Sequence, residues 1–576
     1  MNYIEKLLSA RSPHSKLRFA RFLFFFFFSA SSLTVANCIS TRSFAQEESA
    51  VSSATDAREG FISIYDSNNP RISTQARKNL VVSTADQTDG PAQEAEKSSE
   101  KEIDVLIDMR HAYDFSDYPL TVDDHFYHRI YSFHRAFSYL KTRGVHVEKY
   151  ESETPIDADV LSKCQTLFLN LPSGDKEPFL LSELIAIRDF IQDGGSAFFI
   201  VDHTNCYFHQ SRLQPLFHEL DIEPQFYGIC DMTQKLGDGY GWIYMNKFSE
   251  SPITQNLRQI AFQTGGGVDP RFAVVWSSEK SWQDKAGIPV YGEADLSYFG
   301  NFHQDAGEYV GSSGGVLAKS FGKGRIVVVG DQNLFSTFFF QYLDNYRLWN
   351  NAFAWLLSKP ELADPQAYVE TIRNESLFIC WEELHPTAKR FGNPDATGYY
   401  NLYANLCRYY NPFCIANDDS AIGLTSDAGL IIGCGIDASD QGIAFCCKQL
   451  ERGKTLIVLD PDEDAFVNQE TGLSKTLSYL KQNGISLKTQ IPQQSSGSNA
   501  HKNNAERVEL SNGGVIVALR GRDSFSNASV PAPEKKLLLT QQENLKSLFR
   551  EIDAVLSPTP TKNSSDASNE SPKPTR

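Results

Sequence analysis

Short, unbroken apolar runs recur along the chain, each separated from the next by a stretch with helical periodicity. Ile103–Asp108 (IDVLID), Val145–Tyr150, Thr166–Leu171 (TLFLNL) and Ala197–Val201 are four such runs. A strand with one wet face alternates polar and apolar residues, whereas a strand covered on both faces reads as continuous apolar sequence. About His125–Arg143, residues Phe126, Ile130, Phe133, Phe137 and Leu140 fall at helical spacing. A second helix is expected over Leu180–Gln192, with Gly144 and Gly194-Gly195 as the two stops. Strand, helix, strand in alternation predicts parallel pairing through right-handed crossovers. Lys319–Asp331 (KSFGKGRIVVVGD) adds a hairpin-like entry and another buried strand, and a helix over Asn345–Leu357 closes the region.

A second region follows the same plan. Leu377–Cys380, Ala428–Gly433 and Thr455–Leu459 read as strands, and Tyr399–Tyr410 and Gly442–Leu450 as helices. Ile191–Asp202 (IQDGGSAFFIVD) and Leu450–Asp460 (LERGKTLIVLD) match with an offset of one. Each is a helix stopped at Gly, then a buried strand ending in Asp. The fold class is therefore α/β: two tandem flavodoxin-like three-layer domains with mainly parallel sheets. The boundaries are 1–45 for a signal peptide or N-terminal anchor, 46–100 for a linker, 101–360 and 375–556 for the domains, and 557–576 for a polar tail.

The N-terminal segment speaks to compartment. Residues 1–45 hold six basic residues and one acidic residue, five of the basic ones ahead of the apolar run Phe22–Ala36 with its five consecutive phenylalanines. As a helix that run spans roughly 22 Å, short of the ~30 Å hydrocarbon core. A basic start, a short apolar core and the exits Thr34-Val35-Ala36 or Ser43-Phe44-Ala45 describe a secretory signal. The chain is then exported, periplasmic or extracellular; the alternative is an anchor formed by residues 22–36. Asn37 is too large for the small residue that precedes a lipid-modified cysteine. The net charge of −17 argues against nucleic acid, which needs a basic footprint. Nine of the ten cysteines follow the signal, with no Cys-x-x-Cys pair. Most sit in apolar runs and read as buried thiols.

The segment IRDFIQDGG followed by a strand ending IVDH, and the later GKGRIVVVGDQNLFS with the helix from Asp344 to Leu356, resemble the non-catalytic class I glutamine-amidotransferase-like domains. Such domains occur in auxiliary proteins of bacterial gliding and ABC transport, in intraflagellar-transport proteins and in uncharacterised exported bacterial proteins. The resemblance covers about Ile103–Lys359 well and Ser376–Leu556 more weakly. It implies the fold and leaves function open. Working members carry a nucleophilic cysteine on a sharp turn directly after a buried strand. Here that strand end carries Asp202-His203-Thr204-Asn205, with Cys206 four residues past Asp202, and the second copy carries Asp460-Pro461-Asp462. Glutamine hydrolysis is not expected.

Candidate chemistry lies at the strand ends, where open parallel sheets bind ligands. Asp108, Arg110 and His111 follow the first strand; Asp202, His203, Thr204 and Asn205 the fourth; Asp331, Gln332 and Asn333 the late one. If these ends are adjacent, His111, Asp202, His203 and Asp331 converge as an acid–base set, and His111, Asp202 and His203 are candidate ligands for a divalent metal. The bland reading is that Asp and Asn at strand ends cap loops and helices. His125 and His128 stand one helical turn apart behind Asp123 and Asp124, with Asp123 preferred as an N-cap. His209 and His218 read as histidines at the edge of the core. Glu382, Glu383 and His385 echo the position of His111 in the second copy. Gly265-Gly266-Gly267 and the glycines of Gly311–Gly315 lack phosphate-loop spacing and read as turns. Tyr240, Trp242 and Tyr244 alternate as on an edge strand with one adhesive face.

These observations lead to a non-catalytic binding or assembly module of the cell envelope, more readily than to an enzyme. It would meet a protein partner or a glycan, no nucleic acid, and the membrane only through its N-terminal segment. No cofactor is expected beyond a divalent metal. The alternative is a metal-dependent hydrolase using the Asp/His cluster.

Overall fold

The computed structural model describes residues 102–112, 117–286, 300–364, 367, 377–381, 390–415, 429–434, 440–460, 471–488, 505–520, 524–537 and 542–556. The expected signal or anchor, the linker, the tail, and Glu382, Glu383 and His385 lie outside the described residues. The described residues belong to one compact unit, Ser98–Arg576.

The first half contributes twelve strands among the described residues. They are β1 (Ile103–Asp108), β2 (Val147–Tyr150), β3 (Cys164–Asn170), β4 (Ser196–Ile200), β5 (Tyr227–Asp231), β6 (Trp242–Met245), β7 (Lys247–Phe248), β8 (Ile260–Gln263), β9 (Ala273–Trp276), β10 (Ser281–Lys285), β11 (Gly314–Phe321) and β12 (Gly324–Val329). The helices are α1 (Tyr127–Ile130), α2 (His134–Thr142), α3 (Ala158–Ser162), α4 (Leu181–Gln192), α5 (His209–Glu219) and α6 (Asn345–Leu356). An eight-stranded sheet runs β2-β1-β3-β4-β12-β11-β9-β7. Its first five strands pair in parallel and its last three are antiparallel.

The second half adds β13 (Leu377–Trp381), β14 (Asn411–Ile415), β15 (Leu430–Cys434), β16 (Thr455–Leu459), β17 (Ala505–Glu509) and β18 (Val515–Leu519). Its helices are α7 (Tyr400–Tyr409), α8 (Asp440–Glu451), α9 (Gly472–Gln482) and α10 (Glu543–Leu556). The six-stranded sheet runs β14-β13-β15-β16-β18-β17. All its pairs are parallel except the β17–β18 hairpin. In both sheets the parallel strands follow the order second, first, third, fourth, fifth, and an antiparallel hairpin partner flanks the fifth. The repeat read from the two Gly-to-Asp segments is thus a repeat of topology.

The four inner parallel strands of the first sheet, β1, β3, β4 and β12, are buried on both faces, as their apolar sequences require, whereas the edge strand β2 (VEKY) is partly exposed. One face packs against α2 and α6, where Trp349 is ringed by Phe133, Phe137, Phe168, Phe198 and Phe335. The other packs against Ile187 and Ile191 of α4 and Leu213, Leu216 and Phe217 of α5. This gives three layers.

The helix expected over His125–Arg143 is two helices, α1 and α2. The ladder is interrupted at Ser132, whose carbonyl accepts the Thr337 amide (2.9 Å) and hydroxyl (3.1 Å). Ser132 Oγ in turn donates to the carbonyl of Tyr118 at 2.8 Å. Nor is Asp123 an N-cap: the residue before α1 is Phe126, and Asp124 Oδ1 accepts its amide at 3.1 Å.

Candidate functional site at the strand ends

The order β1-β3-β4-β12 makes the four expected polar strand ends neighbours, but the pleat divides them. Successive residues of a strand point to opposite faces. Phe168 of β3, Ile200 of β4 and Val329 of β12 face the α2–α6 layer. Asn170, Asp202 and Asp331 continue that parity on three adjacent strands. In β1 the residue on this face is Ile107, so Asp108 points to the other face. His111 goes with it. Its Nδ1 lies 2.9 Å from Asp108 Oδ2, its Nε2 lies 3.5 Å from Glu183 Oε2, and its ring stacks on Phe179 at 4.0 Å. The expected four-residue convergence is corrected here: Asp202 lies beside Asp331 and groups with His203, and His111 belongs to a separate network with Asp108, Glu183 and Arg110.

Asp202 and Asp331 are buried together. Asp202 Oδ1 accepts the His203 amide at 2.7 Å. Asp331 accepts the Gln263 amide at 2.5 Å and the Asn333 amide at 2.7 Å. Burial and then the charge of Asp331 push the Asp202 carboxyl well up, and burial raises Asp331 too. The pair therefore retains a proton where separate carboxyls would have lost it. Gly265 and Gly266 make this closeness possible. A Cβ on Gly266 would lie 2.5 Å from the Asp202 carbonyl, and one on Gly265 would lie 2.7 Å from Asp331 Cβ. The triplet expected as a turn is a place where backbone lies flat on the strand ends.

Beyond Asp202 the chain turns through Thr204 (φ +49°), Tyr207 (+52°) and Phe208 (+65°). Three non-glycine residues in the left-handed region within five positions mark a loop held by its surroundings at a cost of order 1–3 kcal/mol each. His209, the first residue of α5, holds it. Its Nε2 accepts the Asp202 amide at 3.1 Å, which places the proton on Nδ1, and Nδ1 donates to the Cys206 carbonyl at 2.6 Å. Burial drives the imidazole pKa down to about 4, so the ring is neutral. Cys206 Sγ lies 3.7 Å from the same Nδ1. That nitrogen already carries a proton and cannot take the thiol's. Burial, then the charge of Asp202, pushes the Cys206 thiol well up. A thiol does stand beside an imidazole, but in an arrangement that does not activate it.

The second sheet differs at the matching bend. Ile200 pairs with Val329 and Leu459 with Leu519. The next amides, of Val201 and Asp460, donate to those carbonyls at 2.9 Å in both cases. Asp460 is thus the counterpart of Val201, one residue before the position of Asp202. It stands at φ +44°, and its Oδ2 accepts the Tyr399 hydroxyl at 2.7 Å. The two carboxylates that look equivalent in sequence occupy different positions.

Asp202, His203 and Cys206 each bring a ligand atom to within 4.8 Å of the others, and all three are buried. His203 also lines a cavity of about 10 Å³ with Thr204, Cys230, Thr264, Asp284 and Phe302, room for a single water. A larger groove, about 740 Å³, is lined by residues of α2, α7 and α10. Its guanidinium groups are engaged with backbone: Arg135 donates to the Cys407 and Tyr410 carbonyls, and Arg408 to those of Thr121, Asp124 and Pro533.

The other candidates fall elsewhere. His125 Nδ1 lies 3.2 Å from the Pro533 carbonyl, and His128 stacks on Phe126 at 5.0 Å. His209 is fully buried and His218 is exposed. Trp242 and Tyr244 sit on β6, which pairs with β8 on one edge and bridges Lys235 on the other. Trp242 packs on Phe339 and Tyr400, so the expected adhesive face is covered by the chain itself. Sequence reading passed over Asn170 and the pairing of Cys206 with His209. The spacing Asp-His-x-x-Cys-x-x-His over 202–209 was the available signal.

The fold and these strand ends define an α/β protein built on two large, mostly parallel sheets. Solved structures similar to the chain include the mmIFT52 N-terminal domain, with 12% identity over 44% of this chain and 97% of that one, at a TM-score of 0.32. A protein described as ThuA-like, from Bacteroides uniformis, has 15% identity over 47% of this chain and 96% of that one, at 0.28. A second ThuA-like protein, from Parabacteroides merdae, has 11% identity over 40% and 79%, at 0.22. At these values the likeness carries no argument about activity. No protein-family model and no curated protein matches the chain.

Proposed function

We propose that the chain is a non-catalytic binding or assembly module on an amidotransferase-like fold, delivered to the cell envelope by residues 1–45. One observation carries the reading. At the bend after β4, where a glutamine-hydrolysing relative would carry an activated cysteine, the chain carries Asp202, and the nearby Cys206 thiol faces an imidazole whose two nitrogens are both bonded to backbone. A protein partner or a glycan is the ligand this reading favours. The basic start and short apolar core of the N-terminal segment support export. Among the described residues no helix is long and apolar enough to cross a membrane.

A second reading, a metal-dependent hydrolase, is favoured by Asp202, His203 and Cys206 standing together. Turnover separates the two. Purified full-length chain is assayed with glutamine, a nitrophenyl ester and a nitrophenyl phosphodiester, with and without added zinc. The binding reading expects rates equal to buffer throughout. Zinc-stimulated turnover lost in Asp331→Asn would establish the hydrolase. A phosphatase reporter that works only outside the cytoplasm, fused after residue 45, tests export.

A further inference from the structure

We propose that the loop closing β4 is a binding site for a borderline-soft divalent metal ion of the zinc class, with Asp202, His203 and Cys206 as its protein ligands. The proposal deepens the reading of the strand ends as a ligand site, and it uses that reading only for location. The three donors are a carboxylate oxygen, an imidazole nitrogen and a sulfur. Sulfur and imidazole select zinc-like ions over calcium or magnesium, which prefer all-oxygen shells. Tetrahedral zinc holds such ligands with metal distances of ~2.0–2.3 Å, so neighbouring donor atoms stand roughly 3.3–3.7 Å apart. Donors already within 4.8 Å of one another need to close by about 1 Å.

The residues around the ligands are placed to hold such a site. His209 joins the backbone of two ligands, accepting the Asp202 amide and donating to the Cys206 carbonyl, so it fixes the bite of the loop without being a ligand. His203 Nδ1 lies 3.2 Å from Thr204 Oγ1, an outer partner that orients the ring. A separate observation points to a ligand. Asn170, at the end of the neighbouring strand β3, is wholly buried, and among the described residues neither its amide oxygen nor its nitrogen has a hydrogen-bond partner. Its register partner is Ile200, so it lies on the same sheet face as Asp202, one pleat repeat beneath it. A buried amide with both ends unmet calls for a polar occupant such as the water that completes a three-ligand metal shell. His111 plays no part, being committed to Asp108 on the opposite face.

Binding replaces the Cys206 S–H bond by a sulfur–metal bond and takes Asp202 as its carboxylate; the thiol proton leaves to solvent and the proton held by the carboxyl pair stays on Asp331. The full-length chain is loaded with zinc, dialysed and measured for bound metal, then loaded with cobalt and followed by absorption spectroscopy. The expected result is one equivalent per chain and a thiolate-to-cobalt charge-transfer band. The band disappears in Cys206→Ser and persists in Cys164→Ser, at the far end of β3. His209→Ala keeps the band but weakens binding ~10–100-fold, as loss of an outer-sphere partner does. Absence of the band in the unaltered chain, or its survival in Cys206→Ser, overturns the site. If Cys206→Ser fails to fold, judged by circular dichroism, His203→Gln is read instead: at least a ~100-fold loss of cobalt affinity supports the site, and unchanged affinity overturns it. Turnover by the zinc-loaded chain would defeat the non-catalytic reading and leave the metal site standing; a missing band would do the reverse.

Discussion

Glu183 is the third residue of α4 and wholly buried. Its carboxylate accepts the Ile156 and Leu180 amides, each at 2.8 Å, and faces Arg110 and His111 at 3.5 Å. Leaving two buried amides unmet costs about 1–3 kcal/mol apiece. Glu183→Ala is therefore expected to lower stability by about 3 kcal/mol in chemical denaturation. Asp284 works through pH. Burial pushes its carboxyl up to about 6, against the pull of the Phe302 and Asn301 amides. The folded state then holds a proton that the unfolded state releases near the ordinary carboxyl value of 3.8. Stability must fall as pH rises from about 4 to about 6, because the native form binds the additional proton in that window. Asp284→Asn should flatten that part of the stability-versus-pH curve; an unchanged slope would contradict the assignment. The reach of Glu183 to the Ile156 amide and of Asp284 to the Asn301 and Phe302 amides could not be read from sequence, since these partners are distant along the chain.

Among the elements, the crossing of the β8–β9 connection over the end of β4 is the tightest feature near the site. Gly266 donates its amide to the Gly330 carbonyl at 2.6 Å, with the Asp202 carbonyl where a Cβ would go. Gly266→Ala is expected to cost about 1–3 kcal/mol through overpacking and to displace Asp202. Thermal denaturation and amide shifts around residues 202–206 check it. The strands, the helix stops and the repeat were legible because burial on both faces writes itself as unbroken apolar sequence. The faces of the strand ends were not, because a one-residue offset reverses a side chain. That offset separates His111 from Asp202, and Asp202 from the position of Asp460. The split between α1 and α2 was hidden for a related reason: the Ser132 carbonyl is claimed by Thr337, a residue remote in sequence.

Across the whole of Ser98–Arg576 the two sheets share an apolar cluster. The stretch Gln341–Leu343 from the first half pairs with the edge strand β14, through Leu343 N–H to Cys414 O at 2.8 Å and Cys414 N–H to Gln341 O at 3.0 Å. An edge that would otherwise invite pairing with another chain is thereby covered. Tyr400 of α7 meets Trp242, Phe339 and the Tyr131 hydroxyl. The two sheets are expected to unfold in one cooperative step, with tryptophan fluorescence and far-ultraviolet dichroism coinciding. Tyr400→Ala should lower stability by ~3–5 kcal/mol while keeping that single step. Two separated transitions would show that the shared cluster does not couple the sheets.

The central claim is that the strand ends of the first sheet hold a buried carboxyl pair and an unactivated thiol. Treatment of the full-length chain with a glutamine-analogue electrophile, followed by mass mapping and an ammonia-release assay, tests it most directly. The account predicts no adduct on Cys206 and no ammonia released from glutamine. A stoichiometric adduct on Cys206, with ammonia release that Cys206→Ser abolishes, would contradict it.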